Sequence, residues 1–328
     1  MKIKIITLWF ALMLFPVYTY ATSPDIEYQA FARKANLLLS NADFRALDSL
    51  ANSIRKNKTR FQDGRWKLTA FYEGMHPTPG QAPKAVWDLY EHRINQWIGQ
   101  NKNAPTPYIA LASFYIAKAW NARGIDYAYS VSDEGWKGWF QNLSLAEKTL
   151  NDNAAIGKSC PHWYALMQTI ALGQGWDEDR YEHLFKEAVA KEPTYYFYYF
   201  YKANFYQSRW YGDKNKLKKF VDESVKSTFE KEGYTLYARI YWAAEREFGR
   251  TMFAPGNVDW SKMKAGFEFI NETYPNSIWN QNAFAHFACL AGDKSTTAKT
   301  LKKIGRDVNL GAWSSPQEFK ACKTWALH

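Results

Sequence analysis

Apolar positions in this chain recur three and four residues apart, the period of a helix with one face turned inward, and sustained alternation is nearly absent. Residues 25–40 carry Ile26, Phe31, Ala35, Leu38 and Leu39 on one face. A second helix, opening at Asn41 or Ala42, carries Phe44, Leu47, Leu50 and Ile54. Their tight junction predicts an antiparallel helix pair. A third helix is expected over 65–73. Residues 74–83 contain Pro77, Pro79 and Pro83 and are expected to be a loop, since proline at that density forbids a helix interior. Pro83 then suits the first turn of a helix bearing Val86, Leu89, Tyr90, Ile94, Trp97 and Ile98. Further helices are predicted over 107–123, 133–152, 160–174, 177–192, 194–210, 213–230, 233–248, 259–273, 277–291, 293–305 and 315–326. No hairpin is expected anywhere. The run Tyr195 to Tyr201 is wholly aromatic and covers two helical turns, so it predicts a helix sandwiched between neighbours.

The N-terminus has a different pattern. Lys2 and Lys4 precede an apolar stretch from Ile5 to Val17, and Thr19-Tyr20-Ala21 sets small residues where signal peptidase reads. Residues 1–21 are therefore expected to be a cleaved signal peptide. Residues 22–328 are expected to form one helical-repeat domain, exported to the periplasm or secreted. Pro16 and the short apolar run argue against a membrane anchor, and no later stretch is apolar for long enough to span a bilayer.

Export gives the three cysteines a meaning, because a pair can oxidise beyond the cytoplasmic membrane. Cys289 and Cys322 lie close in sequence near the C-terminus and are the expected disulfide. Cys160 is left over and is expected to be buried. No CxxC motif is present.

The formal charge is +10, partly clustered at 55–60, at Arg65-Trp66-Lys67 and at Lys214, Lys216, Lys218 and Lys219. Such clusters suit anionic partners, or are solvated helix ends where lysines complement the C-terminal dipole. No nucleic-acid motif accompanies them. Catalytic signatures are missing: no HExxH, no Walker loop, no GxGxxG, no GxSxG and no histidine–cysteine spacing for zinc. No catalytic residue, cofactor or metal ligand is assigned. Glu223-Ser224 is treated as an ordinary surface pair. Glu245 is expected to pair with Arg246 or Arg239. Arg209-Trp210-Tyr211-Gly212 offers either a stacking platform for a ligand or partner, or a helix end with Gly212 as a left-handed cap.

Phe185-x2-Ala188-x4-Pro193 has the spacing of the second helix of a tetratricopeptide repeat, and Phe267-x2-Ile270-x4-Pro275 repeats it. The chain thus resembles a diverged tetratricopeptide-like array, which implies antiparallel helix pairs stacked as an α-α superhelix. The segments 44–51, 60–68, 196–213 and 284–293, with Trp313 and Trp325, also resemble an exported bacterial family known as domain of unknown function 4034. That resemblance implies a helical repeat and no activity. The function expected is a non-enzymatic scaffold of the cell envelope, holding a protein or peptide partner on a concave face. The alternative is a protein that binds or hydrolyses envelope glycan through exposed aromatics and carboxylates.

Overall fold

The computed structural model describes residues 26–124 and 128–328, so the expected signal peptide lies outside the described residues. The described residues hold seventeen α-helices and no strand. The first six are α1 (Ile26–Ser40), α2 (Phe44–Asn57), α3 (Lys67–Glu73), α4 (Lys84–Gln100), α5 (Pro105–Arg123) and α6 (Asp133–Asp152). Next come the short α7 (Ala154–Gly157), then α8 (Pro161–Gln174), α9 (Glu178–Lys191), α10 (Phe197–Phe205) and α11 (Lys214–Glu232). The remainder are α12 (Thr235–Ala243), α13 (Glu245–Phe248), α14 (Trp260–Thr273), α15 (Ile278–Leu290), α16 (Lys294–Ile304) and α17 (Pro316–Leu327).

Two kinds of helix alternate, and the sequence explains why. The first kind is apolar on every side and buried on every side: α8 buries each residue from His162 to Leu172, and α5, α10, α12 and α15 are covered almost as fully. The second kind is amphipathic and buries one stripe. In α9 the stripe is Tyr181, Leu184, Phe185 and Ala188, and in α14 it is Met263, Gly266, Phe267 and Ile270. A helix buried all round needs partners on both sides, and a striped helix supplies one. Accordingly α5 packs on α6, α8 on α9, α11 on α12, α12 on α14 and α15 on α16. The α12–α14 approach is close enough that a side chain on Gly266 would meet the Tyr234 carbonyl oxygen at 2.3 Å.

Capping side chains set several boundaries. Asp43 accepts from the Ala46 amide, which starts α2 at Phe44 and not at Asn41 or Ala42. Asp177, Asp213, Asp259, Ser277, Asp293 and Ser315 do the same for α9, α11, α14, α15, α16 and α17. The proline-rich stretch 74–83 is a loop between α3 and α4. Two expected helices are shorter than the sequence pattern. The one over 194–210 is confined to α10, because the chain turns back after Phe205 and the Tyr211 amide bonds to the Phe205 carbonyl. The one over 233–248 breaks at Ala244 into α12 and α13.

Candidate functional site

Between α2 and α3 the chain makes a tight turn that the helical pattern did not forecast. Lys58, in the left-handed region at φ 48°, ends α2. An antiparallel bridge then joins Arg60 to Trp66, with the Phe61 amide bonding to Arg65 O and the Lys67 amide to Thr59 O. Gly64 stands at φ +91°, where a β-carbon is costly. Asp63-Gly64 is a dipeptide that favours tight turns, and it is the sequence signal of this one, which is held by a single isolated bridge without any strand among the described residues. Asp63 steadies the turn by accepting from the Arg65 amide at 2.8 Å and the Arg65 Nε at 2.6 Å. Phe61 and Trp66 are buried and root the projection in the core.

The tip of this loop reaches helices far along the chain. Arg239 of α12 donates from Nη2 to the Asp63 carbonyl at 2.9 Å, and Asn280 of α15 donates to the same oxygen at 3.3 Å. Arg60 Nη2 and Trp66 Nε1 both donate to the Thr194 carbonyl at 3.1 Å. Lys58 pairs with Glu192 at 2.6 Å. The Arg60 guanidinium lies over the rings of Trp66 and Tyr196, and that of Arg239 over Tyr196 and Tyr274. A side chain at Gly64 would come within 2.7 Å of the Tyr274 ring and 2.8 Å of Arg239. Buried Arg239 Nε and Asn280 Oδ1 have no hydrogen-bond partner among the described residues. This surface therefore holds a polypeptide carbonyl and retains a spare donor and a spare acceptor.

A second polar cluster lies deeper. His162 Nδ1 meets the Tyr195 hydroxyl at 2.8 Å, that hydroxyl meets Thr69 Oγ1 at 2.9 Å, and Tyr72 stacks on the imidazole at 4.6 Å. Burial, helped by nearby His76, drives the His162 pKa down to about 3 and leaves the ring neutral. Glu73 is half-buried, and its enclosure pushes its pKa up to about 7 against the pull of the Tyr28 hydroxyl and the charge of Arg65. Cys160 is free and buried, with its sulfur 3.9 Å from Arg55 Nη1 and 3.7 Å from the Tyr72 hydroxyl. No group of three or more histidine, cysteine or carboxylate side chains among the described residues could hold a metal ion.

Arg209, Trp210 and Tyr211 lie in the turn between α10 and α11. Trp210 packs on the core, Arg209 donates to Asn204 Oδ1 at 2.8 Å, and the half-exposed Tyr211 donates to the Leu172 carbonyl at 3.3 Å. Gly212 is not a left-handed cap: it does not adopt positive φ, and is needed because a side chain there would meet the Tyr206 carbonyl at 2.3 Å.

The basic clusters are used within the fold. Besides Lys58 and Arg60, Arg55 donates to Thr106 Oγ1 at 3.0 Å and Lys67 pairs with Glu27 at 3.2 Å. Lys214, Lys216, Lys218 and Lys219 open α11 rather than end a helix, so the dipole argument does not apply to them. Lys216 pairs with Glu178, and Lys218 and Lys219 pair with Asp222 and Glu223 one turn on. Ser224 is buried and bonds to the Phe220 carbonyl.

Near the C-terminus, Cys289 and Cys322 are at disulfide distance, with 5.9 Å between their α-carbons. One turn before Cys289, buried His286 places Nε2 2.8 Å from Glu245 Oε1 and Nδ1 3.6 Å from Glu318 Oε2. Glu245 thus finds a histidine in α15, while Arg239 donates to the Asp63 carbonyl. No described helix is long and apolar enough to cross a membrane.

No family model, no curated protein and no solved structure matches this chain.

Proposed function

We propose that this protein is a non-enzymatic scaffold of the bacterial cell envelope that holds polypeptide segments on the inner face of a tetratricopeptide-like superhelix. The observation that carries the reading is the double capture of the Asp63 carbonyl by Arg239 and Asn280. These residues stand 41 positions apart (280 − 239), on successive largely covered helices, α12 and α15. That interval is half the 82 residues between Phe185 and Phe267 (267 − 185), the spacing expected of one repeat. Side-chain donors from two helices, converging on one main-chain oxygen, are what a helical array needs to grip a peptide irrespective of its side chains. The basic N-terminal segment with its apolar run, and a cysteine pair at bonding distance, support placement beyond the cytoplasmic membrane.

The test is selection from a random dodecapeptide display library. The bait is the chain carrying Gly64→Val, which crowds the resident turn off Tyr274 and Arg239. Enrichment is expected on this bait and lost when Arg239→Ala and Asn280→Ala are added. Equal enrichment on both baits contradicts the reading.

A second reading, glycan binding, draws on Glu73, whose carboxyl lies in electrostatic reach of the Tyr28, Tyr195 and Tyr201 hydroxyls. Carboxylates beside aromatic rings are a common sugar-binding arrangement. Calorimetry with soluble peptidoglycan fragments on the unaltered chain and on Glu73→Gln tests it. Heat that Glu73→Gln abolishes supports it, and no heat on the unaltered chain rejects it.

A further inference from the structure

We propose that the surface formed by Glu192, Thr194, Arg239 and Asn280 is a docking site for a basic polypeptide turn, and that residues 58–65 are its resident occupant, displaced by a partner segment of the same chemistry. The inference rests on the polypeptide-binding reading and adds the identity of the ligand.

The chemistry of the occupant can be read position by position. At one end the surface offers only acceptors: the Glu192 carboxylate, which takes Lys58, and the Thr194 carbonyl, which takes Arg60. The Tyr196 ring beside them stacks on the Arg60 guanidinium at 5.3 Å. A negative group, a bare carbonyl and an aromatic face together select cationic side chains two residues apart. At the other end the surface offers donors, Arg239 and Asn280, which converge on one main-chain oxygen. The next residue must be glycine, because any β-carbon would strike Tyr274 and Arg239. The pattern required is therefore two basic residues, a short spacer, and a turn closed by glycine.

The resident loop satisfies this surface incompletely. Arg239 Nε and Asn280 Oδ1 are buried without a partner among the described residues, although Asn280 is 0 % exposed. An unmet donor and an unmet acceptor each cost free energy. Together they complement the C=O and N–H of one further peptide unit. The resident turn leaves both unmet, so a displacing segment that supplies them gains over it. Trp66 and Phe61 remain rooted in the core, so displacement needs only the turn to swing outward.

The experiment uses the full chain with Gly64→Val and two fluorescein-labelled decapeptides read by anisotropy. One peptide has the sequence of residues 58–67, and the other carries Lys58→Gln and Arg60→Gln. The basic peptide is expected to bind at least about tenfold more tightly than the neutral one, with affinity falling as salt rises. Equal binding of both overturns the basic preference and leaves the polypeptide reading standing. Binding of neither, with the variant's helical circular dichroism intact, overturns both. Where Gly64→Val does not fold, hydrogen exchange on the unaltered chain decides. Excess basic peptide should speed exchange of the Phe61 and Gly64 amides, which close the resident turn. No change in those amides overturns the proposal.

Discussion

Arg239 and Asp63 are 176 residues apart in sequence and 2.9 Å apart in space, joined through a guanidinium nitrogen and a main-chain oxygen. That bond ties the turn between Arg60 and Trp66 to α12. With the Asn280 and Thr194 contacts it couples the N-terminal helices to those of the C-terminal half.

Arg239→Ala should therefore loosen the loop more than the helices. The loss of a charged donor to a buried carbonyl is expected to cost about 1–3 kcal/mol. Urea denaturation should register that loss, and hydrogen exchange should place it at residues 58–66. Exchange spread evenly over α12 would contradict this.

His286 predicts a pH dependence. Burial lowers its pKa, but the Glu245 hydrogen bond and charge, with the charge of Glu318, outweigh burial and raise it above 6.5. A histidine raised in the folded state adds stability that is full below its unfolded pKa and is lost as pH rises through the folded value. The Tm advantage of the unaltered chain over His286→Gln should be present at pH 5.5 and shrink as the solution becomes alkaline. A constant advantage across that range would show that the contact is packing alone.

Glu73 acts in the same direction for a different reason. Its pKa rises from 4.5 to about 7 through enclosure, so the ionised form opposes folding and stability falls as pH climbs between those values. Glu73→Gln should raise the Tm at pH 8 and change it little at pH 4. A lower Tm at pH 8 would mean that the carboxylate is paired more strongly than its surroundings indicate.

The cysteine pair predicts one free thiol, Cys160, in denatured and unreduced protein. Replacing Cys289 and Cys322 together by serine should cost about 3–4 kcal/mol in the chain-entropy model, measured by urea denaturation. Three titratable thiols, or a bridge to Cys160, would remove the tie between α15 and α17.

Gly266→Ala should be costly although alanine favours helix. Its β-carbon would press on the Tyr234 carbonyl, and such overpacking costs about 1–3 kcal/mol. A thermal melt unchanged from that of the unaltered chain would mean that α12 and α14 can part without loss.

The helices were legible because their information is local. An apolar stripe, an aspartate or serine cap and a following proline or glycine all lie within a few residues of one another, and α9, α14 and α16 follow from them. Cys289 and Cys322 were legible as a pair because they are close in sequence. What stayed hidden depends on distant partners. Nothing near Glu245 points to His286, and nothing near Asp63 points to Arg239. The aromatic run at 195–201 shows a buried helix but not its early end, which is fixed by the close passage of Gly212 over Tyr206. Asp63-Gly64 is a local sign of the turn at 60–66.

The most direct test of the central claim is photo-crosslinking from position 274, with Tyr274 replaced by p-benzoylphenylalanine in the otherwise unaltered chain. Alone, the protein should crosslink to its own residues 58–66. With excess peptide of sequence 58–67 added, crosslinks should pass to the peptide in proportion to its occupancy. Crosslinks that stay on the resident loop at saturating peptide would contradict the account and leave that loop a fixed part of the core.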